Sequence, residues 1–181
     1  METLVAITIL IIVIMGPFQI VQGVLQTSYT ARDQLIATGL AQEAIEYVRQ
    51  VRDSNFLYNL NHGAGSVTWL AGFDGTGAFD CGYTGTASAC IVDPVRLTIA
   101  SCGGVACTCG GTSCAAYPLQ LSATNLYTQD VSAANPTRFS RAVQFIPVPG
   151  FPNEMQVKVT VSWNNHGAKS VVLIENIQNW L

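Results

Sequence analysis

Charge is what this chain has least of. Charged side chains make up 10% of its 181 residues, against roughly 25% in ordinary soluble domains, and none lies between Glu2 and Arg32. Its eight Lys and Arg are spread without clusters and the net charge is −3, which excludes the basic stripe that nucleic acid binding requires. Histidine is nearly absent. His62, in a glycine-rich stretch, and His166, in a turn-like one, are far apart, and neither stands beside a Cys, Ser or acid at a catalytic spacing. The Gly-Gly pairs follow cysteines and form no phosphate-cradling loop, so no enzyme and no cofactor is expected. Asn135-Pro-Thr137 is barred from N-glycosylation by its proline. Both ends of the chain lack cysteine altogether.

The long uncharged segment is the strongest feature present. Leu4 to Met15 is apolar apart from Thr8. About 20 apolar residues in a helix cross the hydrocarbon core, so Leu4 to Val24 suffices for one span. A secretory signal would carry positive charge before the run and a small-residue cleavage site after it, whereas Glu2 and Val21-Gln-Gly-Val-Leu25 supply neither. A plain anchor accounts for the run but leaves Glu2 without a purpose. A carboxylate at the apolar end of a helix is costly unless neutralised, and the free N-terminal amine of a neighbouring subunit would neutralise it.

The residues Glu2-Thr-Leu-Val-Ala-Ile-Thr-Ile-Leu10 resemble the start of type IV pilins and type II secretion pseudopilins, whose mature N-terminus carries one glutamate inside an apolar helix. The resemblance implies that Glu2 pairs with the N-terminus of an adjacent copy, with Met1 taking part in that contact. The chain departs from the pattern in two ways. Met1 precedes the glutamate directly, where the family has a few apolar residues and a basic leader before them, and Pro17 comes slightly early. Gly16-Pro17 removes a backbone hydrogen bond and crowds the preceding turn, which kinks a helix or, by the resemblance, lets it melt as subunits pack.

From Tyr29 onward the helix turns amphipathic. Ile36, Leu40, Ala44, Tyr47, Val48 and Val51 form one apolar stripe, while Glu46–Arg49 and Arg49–Asp53 are spaced for contact on the wet face. Asp53-Ser-Asn55 and the stretch from Asn59 to Gly65 mark its end. A helix of roughly 55 to 60 residues would be about 80 to 90 Å long.

The middle holds all six cysteines, Cys81, Cys90, Cys102, Cys107, Cys109 and Cys114, and most of the sixteen glycines. Cys102 to Cys114 has the spacing C-x4-C-x-C-x4-C, which matches no standard zinc or ferredoxin pattern. Disulfides are expected in an exported chain, with Cys81–Cys90 the favoured pair and the others open; a thiolate metal site is the alternative. Asp74-Gly-Thr-Gly-Ala-Phe-Asp80 lacks the closing acid of a calcium loop and reads as a glycine turn. Short strands are expected at Ser66–Leu70, Val95–Ala100 and Leu119–Ser122.

Near the C-terminus Met155, Val157, Val159, Val161 and Trp163 alternate with polar residues, a strand apolar on one face. Asn164-Asn-His-Gly167 supplies turn chemistry, Ala168 to Ile174 returns, and Phe139 to Ile146 is a third strand stopped by Pro147, Pro149 and Pro152. Val159-Thr-Val-Ser-Trp163 and Ser170-Val-Val-Leu-Ile-Glu-Asn176 also look like the final strands of pilin-like proteins.

The expected fold is therefore α+β. A core or membrane helix (1–28) and an amphipathic stem (29–60) are followed by a Cys/Gly-rich region (61–135) and a C-terminal antiparallel sheet (136–181) packed on the helix. The resemblance implies a filament subunit held in the cytoplasmic membrane before assembly and on the cell surface after it. Its partners would be copies of itself, other pilins, a prepilin peptidase, an assembly ATPase and a platform protein. A minor pseudopilin of a type II secretion system is the nearer alternative, and a membrane-anchored metal-binding protein the more distant one.

Overall fold

The computed structural model describes residues 2–74, 81, 88–100, 107–108, 118–129, 135–165 and 167–179, excepting the side chains of 16–20, 22, 88, 100, 107 and 108. The class is α+β. Helix α1 runs Glu2–His62 and is followed by strands β1 Ser88–Ala89, β2 Ile91–Asp93, β3 Thr98–Ala100, β4 Cys107–Thr108, β5 Gln120–Leu121, β6 Tyr127–Thr128, β7 Phe139–Pro147, β8 Glu154–Asn164 and β9 Ala168–Gln178. The chain divides into two compact units, 1–36 and 37–181.

Within residues 37–181, β7, β8 and β9 form an antiparallel meander in that order. Its register follows from the side-chain period of two: Phe139, Trp163 and Lys169 lie opposite one another, as do Val143, Val159 and Leu173. Met155, Val157, Val159, Val161 and Trp163 are all buried, so the alternation of β8 survives folding. On α1, Leu40, Ala44, Tyr47 and Val48 are buried as expected, joined by Ala37, Ala41 and Ile45; Ile36 and Val51 are only half-buried. Tyr47 meets Phe73 edge-on at 6.5 Å, and Phe73 meets Phe145 at 4.8 Å. Burial, with the nearby Asp93 carboxylate adding to it, raises the Tyr47 hydroxyl above its ordinary pKa.

The outer edge of β7 is closed by short loop segments rather than by a long strand. Leu119 N–H donates to Phe139 O at 2.7 Å, Cys90 exchanges two bonds with Val143 (2.7 and 2.9 Å), and Phe145 N–H donates to Cys81 O at 2.8 Å. Gln129 Nε2 fills the gap by donating to Arg141 O at 3.0 Å. Cys81 and Cys90 are joined as a disulfide, nine positions apart, so the covalent link and the edge closure coincide. Replacing both by Ser should cost about 2–3 kcal/mol from loop entropy alone, read as a lower urea midpoint with β7 amides exchanging faster. An unchanged midpoint would remove the disulfide from the account of this edge.

One buried charge ties three elements together. Arg141, on the core-facing register of β7, is 1% exposed. Its Nη1 donates to Leu40 O at 3.0 Å and Glu43 Oε2 at 2.7 Å on α1, and its Nη2 donates to Val92 O at 2.8 Å on β2. Burial pushes its guanidinium below the ordinary arginine range, opposed by the hydrogen bond to Glu43 and by the charges of Glu43 and Asp93. Asp93 is itself saturated: Oδ1 accepts Val95 N–H (3.0 Å) and Arg96 N–H (3.4 Å), while Oδ2 accepts Gln129 N–H (3.1 Å) and the Thr128 hydroxyl.

Several expectations need correction. Ser66–Leu70 is turn, because α1 captures its backbone. Asn59 donates to Val67 O and accepts from Val67 N–H, both at 2.9 Å, and Asn55 Nδ2 reaches Trp69 O and Ala71 O at 3.2 Å. Asp53-Ser-Asn55 therefore does not end the helix, which runs to His62 before Gly63 at φ +102°, within the expected Asn59–Gly65 stretch. His62 is thus helical, not in a loop; its Nδ1 lies 3.0 Å from Tyr58 O. Val95–Leu97 is a turn held by Asp93, leaving Thr98–Ala100 as the strand. Of Leu119–Ser122 only Gln120–Leu121 is strand, paired with Tyr127–Thr128. Arg49 pairs with Glu46 and Glu175, and Asp53 takes Arg52 (2.9 Å) in place of Arg49. The Glu175 hydrogen bond leads in raising Arg49 above its ordinary pKa. At these exposures each pair contributes little, roughly 0–1 kcal/mol.

Candidate assembly surface

In residues 1–36 the helix carries apolar side chains on every side. Leu4, Val5, Ile7, Ile9, Leu10, Ile11, Ile12, Val13, Ile14 and Met15 are all exposed, Ile12 by 71%. Seven consecutive residues, 9–15, turn through more than a full circle at about 100° each, so no polar face is left over that length. The one hydroxyl inside the run is neutralised locally, since Thr8 Oγ1 donates to Val5 O at 2.8 Å. Thr27 and Thr30 do the same to Gly23 O (2.9 Å) and Gln26 O (3.0 Å). Each back-bond gives its hydroxyl an acceptor within the helix itself.

Glu2 stands in the first turn of α1, where the unpaired N–H groups favour a negative charge. Met1 lies outside the described residues. The backbone is helical through Gly16 and Pro17, with no break in α1, while the side chains there are not described. Farther along, Gly23, Thr27 and Ala31 recur every four positions, one narrow stripe of small residues, and nothing lies within 4 Å of where a Cβ on Gly23 would sit. Such a stripe lets another helix approach closely. The sequence reading passed over it, although the four-residue spacing was its visible signal.

Among the described residues no helical stretch is long and apolar enough to cross a membrane. The run with described side chains covers 2–15, about 21 Å at 1.5 Å per residue; the expected span Leu4–Val24 continues across positions whose side chains are not described.

The cysteine set is split. Cys81 and Cys90 are spent on each other. Cys107 lies in β4, its backbone opposite Ala89, and Cys102, Cys109 and Cys114 lie outside the described residues. Among the described residues no group of three or more His, Cys, Asp or Glu is gathered as a metal site would need. Asp74 accepts the Thr68 hydroxyl; residues 75–80, the rest of the stretch expected as a glycine turn, lie outside the described ones, as does His166.

Comparison with protein-family models, with curated proteins and with solved structures yields no match.

Proposed function

We propose that this chain is a structural subunit that polymerises through the N-terminal half of α1 into a type IV pilus-like filament. On this reading residues 37–181, in which the end of a long helix lies against the C-terminal sheet, form the outward-facing head. The observation that carries the reading is the belt of ten exposed large apolar side chains from Leu4 to Met15. Burying a Leu, Ile or Val side chain is worth about 1.5–3 kcal/mol, so covering this belt is worth on the order of 10 kcal/mol or more even where half is already shielded. Nothing in ordinary solution supplies that cover; lipid and the helices of other copies do. The resemblance of Glu2–Leu10 to pilins favours both covers in turn, membrane first and filament core later. The Gly23–Thr27–Ala31 stripe suits the second, since close helix packing needs small residues.

A lone carboxylate then sets the stagger. Glu2 buried among neighbouring helices is tolerated only opposite a positive partner, and the amine of an adjacent copy is the group within reach of that end. Assembly would draw on a prepilin peptidase, an ATPase and a platform protein.

Glu2→Ala should leave the chain in the membrane fraction and lower sheared-filament yield by at least roughly tenfold, the loss expected for removing one partner of a buried charge pair. Glu2→Asp should recover part of it. Wild-type filament yield from Glu2→Ala would remove the role given to this residue.

A further inference from the structure

Strand β9 is an open edge. All 11 of its residues pair with β8 in one unbroken register, and β8 is its sole strand neighbour among the described residues. Both ends of that ladder fix its hydrogen-bond phase. Asn179 N–H donates to Asn153 O at 2.8 Å, and Asn165 N–H donates to Gly167 O at 3.1 Å. Directly opposite pairs alternate between bonded and non-bonded along an antiparallel ladder, so the odd-numbered positions of β9 bond to β8. Ser170, Val172, Ile174 and Asn176 therefore turn their N–H and C=O groups outward. An unpaired row of that kind is a template for another strand.

The molecule treats the two edges of this sheet differently. The edge of β7 is closed by Cys81, Cys90, Leu119 and Gln129. β9 has no proline, no bulge and no residue at positive φ to blunt its edge, and it is longer than the usual strand of about 5–6 residues. Its two charges, Lys169 and Glu175, share the parity of the buried Ile177, and Arg49 Nε donates to Glu175 at 3.0 Å. The positions of the other parity, from Ala168 to Gln178, are all exposed and uncharged. Among them Val172 is 45% and Ile174 55% exposed.

We propose that the outer edge of β9 is a strand-addition site, taking an extended segment of a partner protein antiparallel along residues 170–176. The chemistry of the edge selects that occupant. Its outward N–H and C=O groups recur at every second residue, about 7 Å apart, a spacing that another extended backbone matches and a compact ligand does not. Uncharged, β-branched side chains suit the partner positions beside Val172 and Ile174, because cross-strand pairs of that type are stabilising. The edge lies wholly in residues 37–181 and does not use the apolar belt, so this idea and the filament reading can fail separately.

The test follows amide hydrogen exchange by NMR on the full chain in detergent micelles. The probe is an acetylated, amidated peptide of alternating threonine and valine. In the free chain the amides of Val171, Leu173 and Glu175 should exchange slowly and those of Val172 and Ile174 fast. Saturating peptide should slow Val172 and Ile174 at least roughly tenfold, and the same peptide N-methylated at every residue should not. Val172→Pro removes an outward N–H that the β8 ladder does not use, so the slow amides should stay slow while the response to peptide is lost. Ile174→Lys, which changes only an exposed side chain, should also weaken the response. Slow exchange at Val172 and Ile174 in the free chain would overturn the proposal, as it would if seen only at high protein concentration, the mark of a second copy. So would no slowing with the peptide, equal slowing by its N-methylated form, or an unchanged response in both variants.

Discussion

Arg141→Ala should destabilise residues 37–181 by about 3–5 kcal/mol and lower their melting temperature by roughly 10 °C or more. The guanidinium is fully enclosed and donates to α1 at Leu40 O and Glu43 and to β2 at Val92 O. Alanine leaves a cavity on β7 and strands those acceptors, Val92 being 0% exposed. Glu43 suffers less, because its side chain is 38% exposed and water can replace the lost partner. Arg141→Met separates the two causes. It fills most of the space with no charge to desolvate, so it should recover about half of the loss. Urea unfolding followed by far-UV circular dichroism would measure both variants. A loss below about 1 kcal/mol for Arg141→Ala would show that the three-way link holds nothing together.

The second large effect concerns solubility. A chain beginning at residue 29 should be a dispersed monomer without detergent, with the same head as the full chain. It removes all ten side chains of the apolar belt at 4–15 and leaves intact the buried positions from Ala37 to Val48 that pack inside residues 37–181. The expected change is in association alone, seen as a single monomeric boundary in sedimentation velocity, with an unchanged melting temperature. Aggregation of the shortened chain would mean that the head, and not the helix, carries the association.

How much of this was legible in the sequence depended on whether a pattern was local. The alternation Met155 to Trp163 needs only a period of two, and it reads directly onto the buried face of β8. The helical stripe was legible at Leu40, Ala44, Tyr47 and Val48, while Ala37, Ala41 and Ile45 escaped because the buried arc is wider than that single stripe. Cys81–Cys90 was the favoured pair and is the disulfide found. The failures share a cause: side chains that capture distant backbone. Asn55 looked like a helix stop and instead, together with Asn59, holds the returning chain at Val67 to Ala71. Asp93 turns Val95–Leu97 out of its strand and at the same time grips Thr128 and Gln129. Arg141 was discoverable in principle. It shares the parity of Phe139, Val143 and Phe145 along β7, so the same alternation that names the core names it as a buried charge. The apolar belt was the most legible part, since a helix uncharged from Thr3 to Ala31 announces its need for cover without any tertiary contact.

The central claim is that the apolar half of α1 is covered by other copies of itself. Electron microscopy of the purified full chain as detergent is withdrawn tests it most directly, beside the chain shortened to begin at residue 29. Regular filaments from the full chain and none from the shortened one are predicted. A full chain that stays monomeric, or a shortened chain that still forms filaments, would contradict the account.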